Sequence, residues 1–432
     1  MNRKQKPKQN IKAKLDEVSN QFKMQVYTQA LQSATLKPWH SGVKLGAFYD
    51  VDEIAYDLMS LRGRSKLFYL NDPVYRPIVN NLVQNVVGSG FVYRDSENPA
   101  NEDRFYQWTK DCDETGLSFN DMCETAIRWF FVYGDCLLVK RDNKVILIDP
   151  ERIGLVNTHY KENKVVDGVE IDSLSLKPIA FHISTVDGGS VRIVAEDCIY
   201  LSNKLIPAQV RGEPLLSQIA DLLEYLYQYT NSVVLSAQIS ASLSLIVKTP
   251  DVEGFDSYVG SRLDLKTPTL TYMPENASIE QIKSEQPMQN YDSFQANLLN
   301  QICTAVGITP AALGNVEKLN FSASKLSIEV ARDTYRRWQR YFIDYLLTPL
   351  WKWQIGTDSV EFRGAGFKSY DRQNDYSAES LAIETGLETM ADLLADRGIW
   401  FDEHIEKLKK EEIALDGIKL NHSQMTQKDD NA

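Results

Sequence analysis

Residues 213–241 read Glu-Pro-Leu-Leu-Ser-Gln-Ile-Ala-Asp-Leu-Leu-Glu-Tyr-Leu-Tyr-Gln-Tyr-Thr-Asn-Ser-Val-Val-Leu-Ser-Ala-Gln-Ile-Ser-Ala, and their periodicity decides the architecture. Leu215, Ile219, Leu222, Leu226, Thr230, Val233, Ala237 and Ala241 recur at three- and four-residue steps, the spacing of one helix face. Ser217, Asp221, Glu224, Gln228, Asn231 and Gln238 fall off that stripe. Pro214 stands where a helix tolerates proline, in its first turn. Such a helix spans about 40 Å at 1.5 Å per residue. A second long segment, Ser322 to Gln354, would reach about 50 Å by the same rise, with a bend expected at Pro349.

Between these two lies a compact β–α–β pattern: Leu243 to Lys248 as a strand, Gly254 to Leu263 as a helix and Thr269 to Tyr272 as a strand. A helix from about Met288 to Val306 follows and closes at Gly307. Upstream, Asp50 to Val87 is helical, broken at Asn71-Asp72-Pro73, with Ile78, Leu82, Val83, Val86 and Val87 on one face of the second piece. Phe91 to Arg94 reads as a strand, residues 119–134 as a helix stopped by Gly134-Asp135, and short β-branched runs continue to about Leu205. Downstream come a strand at Ser359 to Arg363, acidic helices from Tyr376 to about Leu415, and a polar tail from His422. No internal repeat is present. The layout is a mixed α/β body interrupted by two helices too long for it.

The 432 residues suggest two to four folding units, and 43% hydrophobic with 25% charged residues is a globular balance. Wholesale disorder, collagen and disulfide scaffolds are excluded. Lys and Arg number 47 against 59 Asp and Glu, a net charge of −12. An acidic chain is poorly suited to gripping nucleic acid, because such binding rests on neutralising phosphates; it suits a surface that lets nucleic acid pass. The five cysteines (Cys112, Cys123, Cys136, Cys198, Cys303) form no C-x-x-C pair, so reduced, mostly buried thiols are expected. The first fourteen residues carry Arg3, Lys4, Lys6, Lys8, Lys12 and Lys14 with no acid, unlike a signal peptide. They read as a solvated tail or as a contact with DNA or an acidic partner. The longest apolar stretch, Ala126 to Val139, is broken by Arg128, Gly134 and Asp135 and is too short for a membrane span. A soluble protein made in a cytosol is expected.

The search for catalysis returns nothing. There is no P-loop sequence, and Gly88-Ser89-Gly90 follows a helix and reads as its terminal turn. His40, His159, His182, His404 and His422 lack metal-ligand spacing, and His182 alternates with apolar neighbours as an outward strand residue. No catalytic residue, cofactor or metal site is assigned. Asp50, Asp52, Glu53 and Asp57 form a carboxylate cluster that a metal-dependent nuclease could use, or that simply complements a helix dipole. Arg332, Arg336 and Arg340 stand four apart; they could pair with Glu329, Asp333 or a neighbouring copy, or track phosphates.

Several stretches, spread over residues 50–415, are similar to the portal proteins of tailed bacteriophages, the lambda-like branch in particular. Leu61-Arg62-Gly63-Arg64-Ser65, Asn71-Asp72-Pro73 and Asn80 to Gly90 resemble that family's opening helices. Tyr133-Gly134-Asp135-Cys136-Leu137, Ile148 to Ile153, Gly168 to Asp172 and Lys177 to Ile183 resemble its β body. Gln209-Val210-Arg211-Gly212-Glu213-Pro214-Leu215-Leu216 resembles the start of its first long helix, and Asn320-Phe321-Ser322-Ala323-Ser324 the start of the next.

The resemblance implies an α+β portal subunit, dodecameric in the virion. It divides the chain into a basic arm (1–45), an α/β wing (46–212), a stem helix (213–241), a β–α–β clip (242–287) and a second stem helix (288–307). A tunnel loop (308–322), a long kinked helix with a wing strand (323–375), a helical crown (376–420) and a tail (421–432) complete it. It further implies a channel at one capsid vertex for packaging by a terminase and for DNA ejection. The implied partners are further copies of the chain, duplex DNA in transit, the terminase large subunit, the major capsid protein and scaffold, and a head–tail adaptor, with no membrane. Asn315, Lys318, Asn320 and Lys325 become channel candidates, and Arg332, Arg336 and Arg340 subunit-interface candidates. The alternatives are a metal-dependent nucleic-acid-processing enzyme built on Asp50, Asp52 and Glu53, and another helical capsid or adaptor protein.

Overall fold

The computed structural model describes residues 51–154, 158–207, 209–242, 246–248, 278–280, 291–314, 321–367 and 371–415. The basic arm, most of the expected clip, with its helix and its second strand, residues 315–320 and the tail lie outside the described residues.

The body begins with α1 (Val51–Asn71) and α2 (Tyr75–Val87). The break between them is made by Asp72, whose Oδ1 accepts the backbone N–H groups of Val74 and Tyr75, both at 2.6 Å, satisfying donors that a helix start leaves open. Ile78, Leu82, Val83, Val86 and Val87 of α2 are buried, as the periodicity predicts, and Val79 is buried beside them. After β1 (Val92–Asp95) the structure adds α3 (Ala100–Thr109), to which the sequence pattern assigned nothing. This short helix offers only Phe105 and Trp108 to the core beside the buried Asn101, too few for a periodic signal. The next helix, α4 (Phe119–Tyr133), is capped by the Ser118 hydroxyl, 3.2 Å from the Asp121 N–H, and ends on Gly134 at φ +87°.

The β region forms two antiparallel sheets. β2 (Asp135–Arg141) pairs with β3 (Lys144–Ile148) across Asp142-Asn143, both at positive φ, the tight hairpin geometry that Asp and Asn accept. β4 (Thr158–Tyr160), β5 (Asn163–Val166), β6 (Val169–Ile171), β7 (Pro178–Ser184) and β8 (Ser190–Val194) make a five-stranded meander. β9 (Cys198–Ser202) returns to the other edge of β2. Phe181 and Ile183 of β7 are buried, and His182 lies on the opposite face. There it is largely covered, with its ring 5.5 Å from that of Tyr160 and its Nε2 3.5 Å from Glu170 Oε2.

The first long helix is shorter than the pattern predicted. Leu215–Gln218 is a 3-10 turn, and α5 runs from Ala220 to Ser242. It is followed by β10 (Ile246–Lys248), paired antiparallel with β11 (Ser278–Glu280), and by α6 (Tyr291–Ala305). The second long helix is α7 (Phe321–Phe342); a π-helical turn at Ile343–Leu347 joins it to α8 (Thr348–Ile355). The irregularity therefore precedes Pro349. Proline has no N–H to give the carbonyl four residues back and its ring crowds that carbonyl; a wider turn just before it relieves both. β12 (Val360–Arg363) pairs with β1, Val92 opposite Arg363. Three helices, α9 (Arg372–Glu384), α10 (Met390–Asp396) and α11 (Phe401–Leu415), end the described chain.

The main core gathers α2, α4, α7 and α8 around aromatic rings. Phe130 lies 5.1 Å from Phe342 and 5.3 Å from Tyr341, and Phe131 lies 5.2 Å from Trp338. Polar ties fix α7 on α2: Tyr335 Oη donates to Asn81 Oδ1 at 2.7 Å, and Gln339 Nε2 donates to the Val86 carbonyl at 3.2 Å. Cys112, Cys123, Cys136 and Cys303 are buried and Cys198 half-buried, all as free thiols. Burial pushes Cys112 up to about 11 and Cys198 and Cys303 to about 12, with Cys123 and Cys136 raised further. A thiol reagent at pH 8 is therefore expected to label less than one cysteine per native chain and all five after denaturation. Fast labelling of several native thiols would refute this burial pattern. No helix among the described residues is long and apolar enough to cross a membrane.

Candidate functional site

The start of α5 is set by a junction where two segments cross backbone on backbone. Gly134-Asp135 meets Arg211-Gly212-Glu213, and a side-chain methyl on Gly212 would stand 1.8 Å from the Gly134 carbonyl oxygen. Asn203 N–H donates to that carbonyl at 2.8 Å, and Glu213 N–H donates to the Asn203 carbonyl at 2.8 Å. Below the crossing, Arg211 grips the Asp135 carboxylate with two nitrogens, Nη2 at 3.1 Å from Oδ1. Its Nη1 donates to the Asp167 carbonyl at 3.1 Å, and Nη2 also reaches the Pro150 carbonyl at 3.2 Å. Arg62 of α1 closes the chain of charges on Asp167. Asp135 is wholly buried, and Asp167, Arg62 and Arg211 are nearly so. Burial alone would raise the Asp135 carboxyl, but the charge and hydrogen bonds of Arg211 outweigh it and hold the group below the usual carboxylate range. Tyr200 donates to the same carboxylate at 2.9 Å; burial and the adjacent charge push its phenol well up.

From this junction α5 leads away from the core. Ile219, Leu223 and Leu226 are buried, and beyond Leu226 the helix packs on α6, with Tyr229 4.4 Å from Phe294 and 5.7 Å from Tyr291. Leu298, Ile302 and Cys303, nearer the other end of α6, rejoin the main core, so the two helices run antiparallel. Tyr225, Tyr227, Val234 and Leu235 of α5 and Phe294 of α6 remain exposed, as do Leu326 and Val330 of α7.

The predicted channel residues Asn315, Lys318 and Asn320 lie outside the described residues, between Gly314 and Phe321. Lys325, on the first turns of α7, has its Nζ 2.6 Å from Asp375 and 3.9 Å from Asp371. Arg332 pairs with Glu329 on its own helix, and Arg336 lies 3.5 Å from Asp333 and 3.9 Å from Asp396; both stack on Phe367, at 5.5 and 5.7 Å. Arg340 is exposed near the end of α7. Lys325, Arg332 and Arg336 thus share one charged cavity of about 650 Å³ between α7 and the C-terminal helices, and Arg340 does not line it. Those helices are clamped by Trp400, which Arg363 covers at 3.6 Å and Arg94 at 5.6 Å. Of the carboxylate cluster, Asp50 lies outside the described residues, and only the helical backbone of Asp52 and Glu53 is described. The sequence reading missed the Asp135–Arg211 pair, although it singled out both segments; their signal is a Gly beside each charged residue, 76 positions apart.

A model of the phage portal proteins, lambda family, matches residues 46–339. Among solved structures, the chain is similar to the neck of an empty GTA particle computed with C6 symmetry, at 12% identity and a TM-score of 0.55 over 79% of this chain and 93% of that one. It is similar to the neck of a native GTA particle computed with C12 symmetry, at 12% identity and a TM-score of 0.52 with the same coverage. The virion of a native gene transfer agent matches at 11% identity and a TM-score of 0.51, again over 79% of this chain and 93% of that one. These likenesses establish a shared fold. A search of curated proteins found no match. The family match takes in α5, most of α7, the sheets formed by β2–β9 and the buried junction at Asp135 and Arg211, over more than half of the sequence: the chain belongs to the lambda family of phage portal proteins.

Proposed function

We propose that the chain is the subunit of a closed ring of twelve copies at one capsid vertex. Through this ring a terminase drives duplex DNA inward, DNA later leaves, and a head–tail adaptor is attached. The observation that carries this reading is the row of exposed apolar side chains on the long helices. Tyr225, Tyr227, Val234 and Leu235 of α5, Phe294 of α6 and Leu326 and Val330 of α7 lie open in a single chain. Surfaces of this kind call for a partner, and an identical neighbour related by rotation supplies one through head-to-tail contacts that close into a ring. The native GTA neck, similar in fold, was computed with C12 symmetry, which supports twelve copies.

In this reading residues 46–212 form the wing, 213–241 and 288–307 the stem, 242–287 the clip that meets motor and adaptor, and 376–420 the crown. Asn315, Lys318 and Asn320 line the channel with Lys325 at the base of the loop, and Arg340 extends the Arg332–Arg336 row toward a neighbour. The chain's role is structural; ATP hydrolysis belongs to the motor, and nothing favours the metal-dependent alternative. A net charge of −12 per copy keeps the lumen from holding DNA, because many tight phosphate contacts would make binding strong.

Negative-stain microscopy with mass measurement at moderate salt tests the reading. Rings with a central hole and a mass of about 590 kDa, twelve times 49.2 kDa, are expected. Particles that lack the protein and still fill with DNA would overturn it.

A further inference from the structure

The C-terminal helices carry a surface that nothing in the described fold covers. Leu381 is 60% exposed, Leu387 81% and Met390 47%, at the end of α9, in the turn and at the start of α10. Around them stand Glu384, Glu388 and Asp392, all exposed and with no cation within ion-pair distance among the described residues. The wider stretch 373–396 holds six acids (Asp375, Glu379, Glu384, Glu388, Asp392, Asp396) and no Lys or Arg. Asp375, Glu379 and Asp396 are engaged by Lys325, Arg397 and Arg336. The middle three frame the open apolar patch.

The chain carries the opposite pattern once. Residues 1–14 hold six bases and no acid, with Ile11 and the following Leu15 as apolar side chains. We propose that this N-terminal segment docks on the acidic-apolar patch of Leu381, Glu384, Leu387, Glu388, Met390 and Asp392. Charge decides between occupants. The same patch on a second copy would set acid against acid, an arrangement that costs several kcal/mol at an interface; a head-to-tail neighbour would have to offer a different face, and duplex DNA is repelled by a surface of its own sign. The basic segment brings complementary charge and apolar side chains together. Reach is no obstacle: the 36 residues between Lys14 and Val51 span up to about 120 Å when extended. Docking would cover the bases that otherwise hold duplex DNA, and would leave the lumen side of the assembly without an exposed cationic tail. The inference does not depend on the number of copies in the ring.

Zero-length carboxyl–amine cross-linking of the full chain, read by mass spectrometry, tests it. Lys4, Lys6, Lys8, Lys12 or Lys14 should be joined to Glu384, Glu388 or Asp392. The yield should fall several-fold between 0.05 and 0.5 M salt, as screening shortens to a few ångströms (about 4 Å at the upper value). The double variant Glu384→Gln/Glu388→Gln and, separately, Leu387→Ser should each lower the yield several-fold; these side chains are solvent-facing, so the fold is retained. Arm lysines joined only to acids elsewhere, or cross-links indifferent to these substitutions, would overturn the proposal. So would absent cross-links in a chain that retards linear duplex DNA through Lys4, Lys6, Lys8 and Lys12, which would make the segment a DNA contact.

Discussion

An Arg211→Met chain is expected to lose about 3–5 kcal/mol, the usual penalty for stranding one partner of a buried ion pair, and to accumulate largely as insoluble protein. The cause lies in what remains. Asp135 is wholly buried, and without the guanidinium its carboxylate lacks the compensation to stay charged there, whereas Asp167 keeps its partner Arg62. Asp135→Asn combined with Arg211→Met should recover much of the loss, because it removes the stranded charge while keeping the shape. The acid limb of stability should change as well. The folded Asp135 carboxyl sits below its ordinary value of about 3.9. Its contribution is therefore complete above that value and drains as the pH falls through the lower, folded one. The double variant should lack this part of the acid-induced loss. Urea melts of the three chains between pH 3 and 7 would decide the matter; a single variant melting with the parent would remove the pair from any structural role.

Gly212→Ala is expected to be as damaging by a different route. The new methyl group would stand 1.8 Å from the Gly134 oxygen, 2.5 Å from its carbonyl carbon and 2.8 Å from the Asn203 nitrogen, all backbone atoms with no rotamer to turn. The crossing segments would have to separate, breaking the Asn203–Gly134 and Glu213–Asn203 hydrogen bonds and withdrawing Arg211 from Asp135. The loss should exceed the roughly 1–3 kcal/mol of ordinary overpacking. Gly63→Ala is the matched control: it lies exposed inside α1, and outside the adjoining turns of its own helix nothing comes within 4 Å of the added methyl, so about 0.5–1 kcal/mol of stabilisation is expected. Thermal midpoints moving the same way in both variants would show that the crossing is not as close as described.

The helical framework was legible in the sequence because its long elements are periodic, and the portal family because stretches such as Gln209 to Leu216 and Asn320 to Ser324 resemble it. The α2 face, the α4 stop at Gly134 and the stripe of α5 depend on local spacing alone. What escaped depends on contacts between distant residues. The stripe extends back to Leu215, yet α5 begins at Ala220; the preceding residues are held by Gly134, Asn203 and Asp135, and tertiary ties there override the helical pattern. The pairing of β1 with β12 joins segments more than 260 residues apart, beyond any local rule. The candidate interface arginines were identified as a row, but the row divides: Arg332 is buried against Glu329 and Phe367, while Arg340 faces solvent. Lys325, read as a channel candidate, stands beside two aspartates about fifty residues on, acids that spacing on its own helix could not reveal.

The π turn at Ile343–Leu347 sets the phase of everything after it. A π turn accommodates one extra residue, and one residue is about 100° of helix rotation. On the α7 side of the turn Arg332 and Arg336 face the C-terminal helices; on the α8 side Trp351 is driven into the ring cluster with Phe105, 4.9 Å away. Were the ladder regular, Trp351 would point a quarter-turn or more away from that cluster. The inserted residue therefore works as a fixed angular offset, a gear tooth that lets one continuous rod serve two surfaces facing different ways. Deleting a residue within it would leave both halves helical while unmeshing one surface from the other.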